Sequence, residues 1–105
     1  MMDAKLAAAF HDRMLRICDE ALAECGYNPS RFRNMVLDRG GLETAQQLLR
    51  TSAQSEGLTR LWMEKRLDIS MEATVLQEPW RALFSPEERK TARERLLALG
   101  YQPQE

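Results

Sequence analysis

Histidine occurs once in this chain, cysteine twice, and aromatic residues make up only 7% of its 105 positions. Each shortage closes off a kind of chemistry. A zinc site draws four ligands from Cys, His and carboxylates at recurrent spacings, and one His without a CxxC pair does not supply them, so no metal is expected. No cofactor-binding motif is present either, and no cofactor is expected. Cys18 and Cys25 stand seven residues apart in a stretch that reads as helix, which separates them by about 10 Å of rise. A disulfide needs Cα atoms within about 7 Å, so both thiols are expected to be reduced, as in an intracellular protein. Apolar runs are short as well. The run at residues 6–10 ends at His11, Asp12 and Arg13, too soon for a signal peptide or a membrane span, so cytoplasmic residence without a membrane partner is the default expectation. With 5 Gly, 4 Pro, 44% hydrophobic and 30% charged residues, the composition is that of a folded domain and not of a disordered chain.

Charge of one sign is missing too. The 15 Lys and Arg against 16 Asp and Glu leave a net charge of −1, so no global field draws the chain to nucleic acid or anionic lipid. The balance hides a local asymmetry: residues 1–28 sum to −2, residues 29–66 to +3 and residues 67–105 to −2. The middle is mildly basic.

What is present is helical periodicity. No stretch alternates apolar and polar residues over strand length, no long repeat recurs, and the fold class expected is an all-α single-domain bundle of five to seven short helices spanning residues 1–105, with 102–105 as a flexible tail. A first helix over 3–25 carries the stripe Leu6, Phe10, Met14, Ile17, Cys18, Ala21, Leu22 and Cys25, and Gly26 ends it. Asn28 is expected to cap a second helix over 29–38, with Pro29 at its first position. A third spans 42–51 after Gly40-Gly41. A fourth, with Ser55 as its expected cap, runs through Trp62 to about residue 66. Ser70 caps a fifth over 71–77, a single turn covers 80–84, and Ser85-Pro86-Glu87-Glu88 is a capping box that starts the last helix, which ends near Leu99. In that last helix Arg89, Lys90, Arg93 and Arg95 are expected on a solvated face. The stretch 58–84 holds both Trp residues, and the expected core is Phe32, Leu48, Leu61, Trp62, Trp80, Phe84 and Leu96.

Chemistry is harder to find. His11 and Cys18 could be a base and a nucleophile, but they lie about 10 Å apart along one helix where hydrogen-bond reach is about 3 Å, so Cys18 reads as packing. Asp68 and Glu72 read as carboxylates that offset a helix start, with Arg60, Lys65 and Arg66 as counter-charges. Gly40-Gly41 before Thr44 lacks the spacing and the Lys of a phosphate loop. Arg31, Arg33, Arg39 and Arg50 suggest nucleic-acid contact, although the helix after the glycine pair is mostly Gln and Leu, a poor surface for reading bases. The 6 Met and two Trp would suit an apolar groove or a self-complementary dimer face.

Gly26-Tyr27 with Arg31-Phe32, Gly40-Gly41 with Thr44-Ala45 and Leu48-Leu49, and Gly57-Leu58 with Leu61-Trp62 form a pattern. It continues through Arg66-Leu67-Asp68, Glu72, Val75-Leu76, Trp80, Leu83-Phe84, Glu87-Glu88, Ala92, Leu96 and Gly100-Tyr101. On these residues the chain resembles a family of small, stand-alone helical bacterial proteins of unknown function. The resemblance implies a bacterial, all-helical domain and assigns no activity. Such relatives often carry Gly before the Arg-Leu-Asp run, where this chain has Lys65. The expected function is that of a small non-enzymatic binding or regulatory protein acting on a protein partner or on a second copy of itself. A nucleic-acid accessory role through the four arginines is the alternative, and an enzyme ranks third.

Overall fold

The stripe of the first helix organises the structure. In the computed structural model, which describes residues 2–51 and 56–105, α1 (Met2–Cys25) buries Phe10, Met14, Ile17, Cys18 and Ala21. Against it pack α2 (Ser30–Arg39) and α3 (Gly41–Arg50), followed by α4 (Glu56–Met63), α5 (Met71–Val75) and α6 (Pro86–Ala98). Short 3₁₀ turns at Leu67–Ile69 and Trp80–Leu83 flank α5, and no strand occurs among the described residues. The fold is all-α. A radius of gyration of 12.6 Å is that of one packed domain of this length.

Local signals explain most boundaries. Ser85 Oγ accepts from Glu88 N at 3.1 Å while Glu88 Oε1 accepts from Ser85 N at 2.9 Å, a complete capping box at the start of α6. Ser70 Oγ accepts from Ala73 N at 3.0 Å and starts α5. The expected Asn28 cap does not form. Pro29 occupies the cap position of α2, no side chain caps that helix, and Asn28 contributes only its backbone oxygen, to Ser30 N at 2.8 Å. The expected cap at Ser55 lies outside the described residues.

The glycine pair divides two tasks. Gly40 takes φ +92, which closes α2, and Gly41 lets α3 approach α1 so closely that a Cβ there would stand 2.6 Å from His11 Cα. At this contact Gly41 N donates to His11 Nδ1 at 2.9 Å, so the single histidine satisfies a backbone donor that α3 would otherwise leave open.

Phe10, fully buried, is the centre of the aromatic packing, edge-on to Trp80 at 5.8 Å and to Phe84 at 5.3 Å between ring centroids. Of the expected core, Leu61, Phe84 and Leu96 are buried, and Phe32, Leu48 and Trp80 are partly buried against the same cluster. Trp62 is not core: it is 47% exposed. The reason is the size of α4, which turns one narrow stripe, Leu58 and Leu61, inward. Trp62 follows Leu61 by about 100° around the axis and so falls off that stripe. Leu22, expected in the stripe of α1, is likewise 48% exposed. Residues 102–105, expected as a flexible tail, lie along α6. Pro103 is buried and Glu105 accepts from both Nε and Nη2 of Arg93 at 2.6 Å.

α4 and α6 end alike. Tyr101 N donates to Leu96 O and Gly100 N to Leu97 O, with Gly100 at φ +80, and in the same pattern Arg66 N donates to Leu61 O and Lys65 N to Trp62 O. Both are Schellman closures, which place one residue in the left-handed region. At α4 that residue is Lys65, at φ +60, a conformation that costs a Cβ-bearing residue about 1–2 kcal/mol. Replacing Lys65 by Gly is therefore expected to stabilise the fold by about 1 kcal/mol in chemical denaturation, while Lys65→Ala gives no such gain. A second pair separates rim from core: Phe84→Ala is expected to cost about 3–5 kcal/mol and Trp62→Ala less than about 1 kcal/mol, measured by the same transition.

Candidate functional site

Three α1 residues within about one turn, Ile17, Cys18 and Ala21, form one wall of a cavity of about 560 Å³. α2 supplies Phe32 and Met35, α4 supplies Leu58 and Leu61, and the segment Ile69, Ser70, Met71 and Glu72 closes the opposite side. The lining is mostly apolar because each helix presents there the edge of its core stripe. Arg31 stands at the mouth, exposed, with neither an ion pair nor a side-chain hydrogen bond among the described residues.

The polar groups deeper in the wall are already engaged. Ser70 Oγ donates to Leu67 O at 2.7 Å while it caps α5. Glu72, 2% exposed, accepts from Arg95 Nη1 at 3.3 Å, and Arg95 Nη2 donates to Leu48 O at 2.9 Å and to Thr51 O at 2.7 Å. The Arg95 guanidinium thus joins the carboxylate of α5 to two carbonyls at the end of α3, of which that of Leu48 also accepts from Thr51 Oγ1 at 2.8 Å. This pairing differs from the expectation on both sides. The counter-charge of Glu72 comes from α6 and not from Arg60, Lys65 or Arg66, and Arg95 is buried where a solvated face was expected. Burial holds the Glu72 carboxyl above its ordinary range, with Arg95 and a backbone hydrogen bond pulling it back.

Cys18 is 1% exposed, and burial pushes its thiol up to about 11 against the opposing field of Arg33, so it is a neutral thiol at physiological pH and a poor nucleophile. His11 does not meet it, being engaged at Gly41. Asp68 and Glu72 do not meet either. Asp68 is exposed and accepts from Arg66 Nε at 3.0 Å, while Glu72 faces inward.

The four arginines do not act as one surface. Arg31 and Arg39 line a shallow depression on the outer face of α2 together with Asn34 and Asp38. Arg39 lies 3.8 Å from the Asp38 carboxylate and also donates to Gln47 Oε1. Arg33 turns to α1, where it pairs with Asp19 at 3.0 Å, and Arg50 is exposed at the end of α3. No group of three or more His, Cys, Asp and Glu residues among those described could hold a metal ion. No helix among the described residues is long and apolar enough to cross a membrane.

Two features were not found from sequence, the cavity and the buried ion pair. A signal for the pair exists: Arg95 sits with Ala92, Leu96 and Leu99 at helical spacing, and Glu72 interrupts an apolar run from Met71 to Leu76. Two opposite charges set in two apolar stripes can only be buried together. No signal for the cavity exists, because a concave wall and a filled one use the same side chains. Comparison with protein-family models, with curated proteins and with solved structures finds no match.

Removing one member of the pair leaves a buried charge without a partner, so Arg95→Leu is expected to cost about 3–5 kcal/mol, and the double variant Glu72→Leu/Arg95→Leu to recover much of that loss. Because the folded pKa of Glu72 is raised, the folded state binds the proton more tightly. Its stabilising contribution is then largest below the ordinary value of 4.5 and declines as pH rises through the folded value. The stability difference between wild type and Glu72→Gln should accordingly shift in favour of wild type as pH falls from neutrality towards 4.5, followed by urea denaturation at each pH.

Proposed function

We propose that this is a small non-enzymatic cytoplasmic protein that binds or regulates a protein partner, and that the exposed end of α4 is where the partner is held. The observation that supports this reading is the pair Trp62 and Met63, 47% and 66% exposed on consecutive positions. A domain of this size gains by burying an indole, and one left half in water is a group whose burial by a partner would release apolar area. Trp is the residue most often found at the energetic centre of interfaces, and Met adapts its shape to the surface it meets. Charged pairs bracket the two in sequence. Arg60 pairs with Glu64 at 3.3 Å, and Arg66 pairs with Asp68 and Glu24, a polar rim around an apolar centre.

Nucleic-acid contact stands as the second reading, favoured by one observation: Arg31 and Arg39 share a depression. Asp38 beside Arg39 and Asp19 on Arg33 reduce the positive field that phosphates would meet there. Affinity capture from the source cells, with and without nuclease, separates the two. Tagged wild type is expected to retain a discrete protein, an untagged second copy included, after nuclease treatment, and Trp62→Ala to lose it while remaining folded. Capture abolished by nuclease, or undiminished in Trp62→Ala, would overturn the proposal.

A further inference from the structure

We propose that the cavity between α1, α2, α4 and α5 binds a medium-chain carboxylate, with the alkyl chain inside and the carboxylate on Arg31. The proposal is independent of the protein-contact reading, since neither Trp62 nor Met63 lines the cavity. At about 560 Å³ the space lies within the range of about 300–1,000 Å³ usual for small-molecule sites and far exceeds the voids that close packing leaves. Its walls suit a flexible chain. Met35 and Met71 face it from α2 and α5, and thioether side chains adapt to an irregular apolar guest at little cost.

The inner wall favours an apolar group over a sugar or a nucleotide, since, apart from Ser70 and Glu72, the other polar residues of the lining, Tyr27, Asn28 and Ser30, lie within four positions of Arg31. Such a ligand needs donors and acceptors free to meet it, and Glu72 and Ser70 are already bonded to Arg95, Leu67 and Ala73. At the mouth the situation reverses. Among the described residues Arg31 is the one cationic side chain in the lining, whereas Arg33, Arg39, Arg60, Arg66, Arg93 and Arg95 each have a carboxylate within 4 Å. A guanidinium without a partner among the described residues, above an apolar cavity, is complementary to a ligand with one anionic end and one apolar end, and it can grip a carboxylate through two parallel hydrogen bonds. α2 starts at the same edge without a side-chain cap, so its positive end adds to the field that Arg31 provides.

The test is calorimetric titration of the full chain with dodecanoate below its micellar concentration, and with dodecanol as the uncharged counterpart. Wild type is expected to bind dodecanoate at a single site. Arg31→Gln, a change at an exposed position that circular dichroism should show to be folded, is expected to bind it about ten-fold more weakly, the loss of one charge-assisted contact. Dodecanol should bind both proteins alike. In methyl spectra of the methionines, dodecanoate should shift Met35 and Met71 and leave Met63 in place, and Trp62→Ala should bind as wild type does. Absence of dodecanoate binding to wild type, equal affinity of wild type and Arg31→Gln, or shifts confined to Met63 would each overturn the proposal. Failure of the partner-capture experiment would not touch it.

Discussion

A buried guanidinium holds the second half of this molecule together. Arg95 reaches from α6 across to Glu72 on α5 and to the carbonyl oxygens of Leu48 and Thr51, where α3 ends. Three segments distant in sequence therefore share one donor group. Neither charge could be buried alone, since desolvation of a single ion costs several kcal/mol, and attraction repays that cost only when the remaining lone pairs and N–H groups are also bonded. Here the carbonyls bond the second guanidinium nitrogen, while at the carboxylate burial still outweighs the attraction and keeps Glu72 above its ordinary range. The same side chain that pairs with Glu72 adds two donated hydrogen bonds to the carbonyl end of α3.

The other half rests on close backbone approach and aromatic packing. Gly41 brings α3 against α1 at His11, and Phe10 locks α1 to the segment around Trp80 and Phe84. Between the halves the helices do not close completely. α2 leans on α1 through Val36, Phe32 and the Arg33–Asp19 pair, while α4 buries Leu58 and Leu61 against the body and lays Arg60 over the Tyr27 ring at 5.3 Å, and the cavity is the space left among them. The features available to a ligand or partner, Arg31 at the mouth and Trp62 with Met63 at the end of α4, thus sit on helices that bury one stripe each, Val36 with Phe32 beside it on α2 and Leu58 with Leu61 on α4. A short helix that buries one stripe necessarily leaves its other faces to water.

Much of the fold was legible before any coordinates. The capping box at Ser85, the Ser70 cap, the glycine stops at Gly26, Gly40 and Gly100 and the stripe from Phe10 to Ala21 all depend on residues a few positions apart. The errors share one cause. Trp62, assigned to the core by its size, and Arg95, assigned to solvent by its charge, were placed by residue type, whereas burial depends on which neighbour covers a face. Asn28 was expected to cap α2 through its side chain, but the chain passes Pro29 first. The same limit applies to the candidate site, since no residue among Ile17, Met35, Leu61 and Met71 differs in kind from an ordinary core residue.

By itself the sequence determined an all-α architecture and its helix boundaries to within a few residues, because periodicity and caps act over one or two helical turns. Only the tertiary structure decided that Arg95 pairs with Glu72, that Arg33 pairs with Asp19 while Arg31 has no partner among the described residues, that Lys65 takes a left-handed conformation and that Trp62 faces water. Each of these depends on groups from different elements meeting, or on no group arriving. Covering a helix face is a matter of how six helices pack at once, and no short window of sequence contains it.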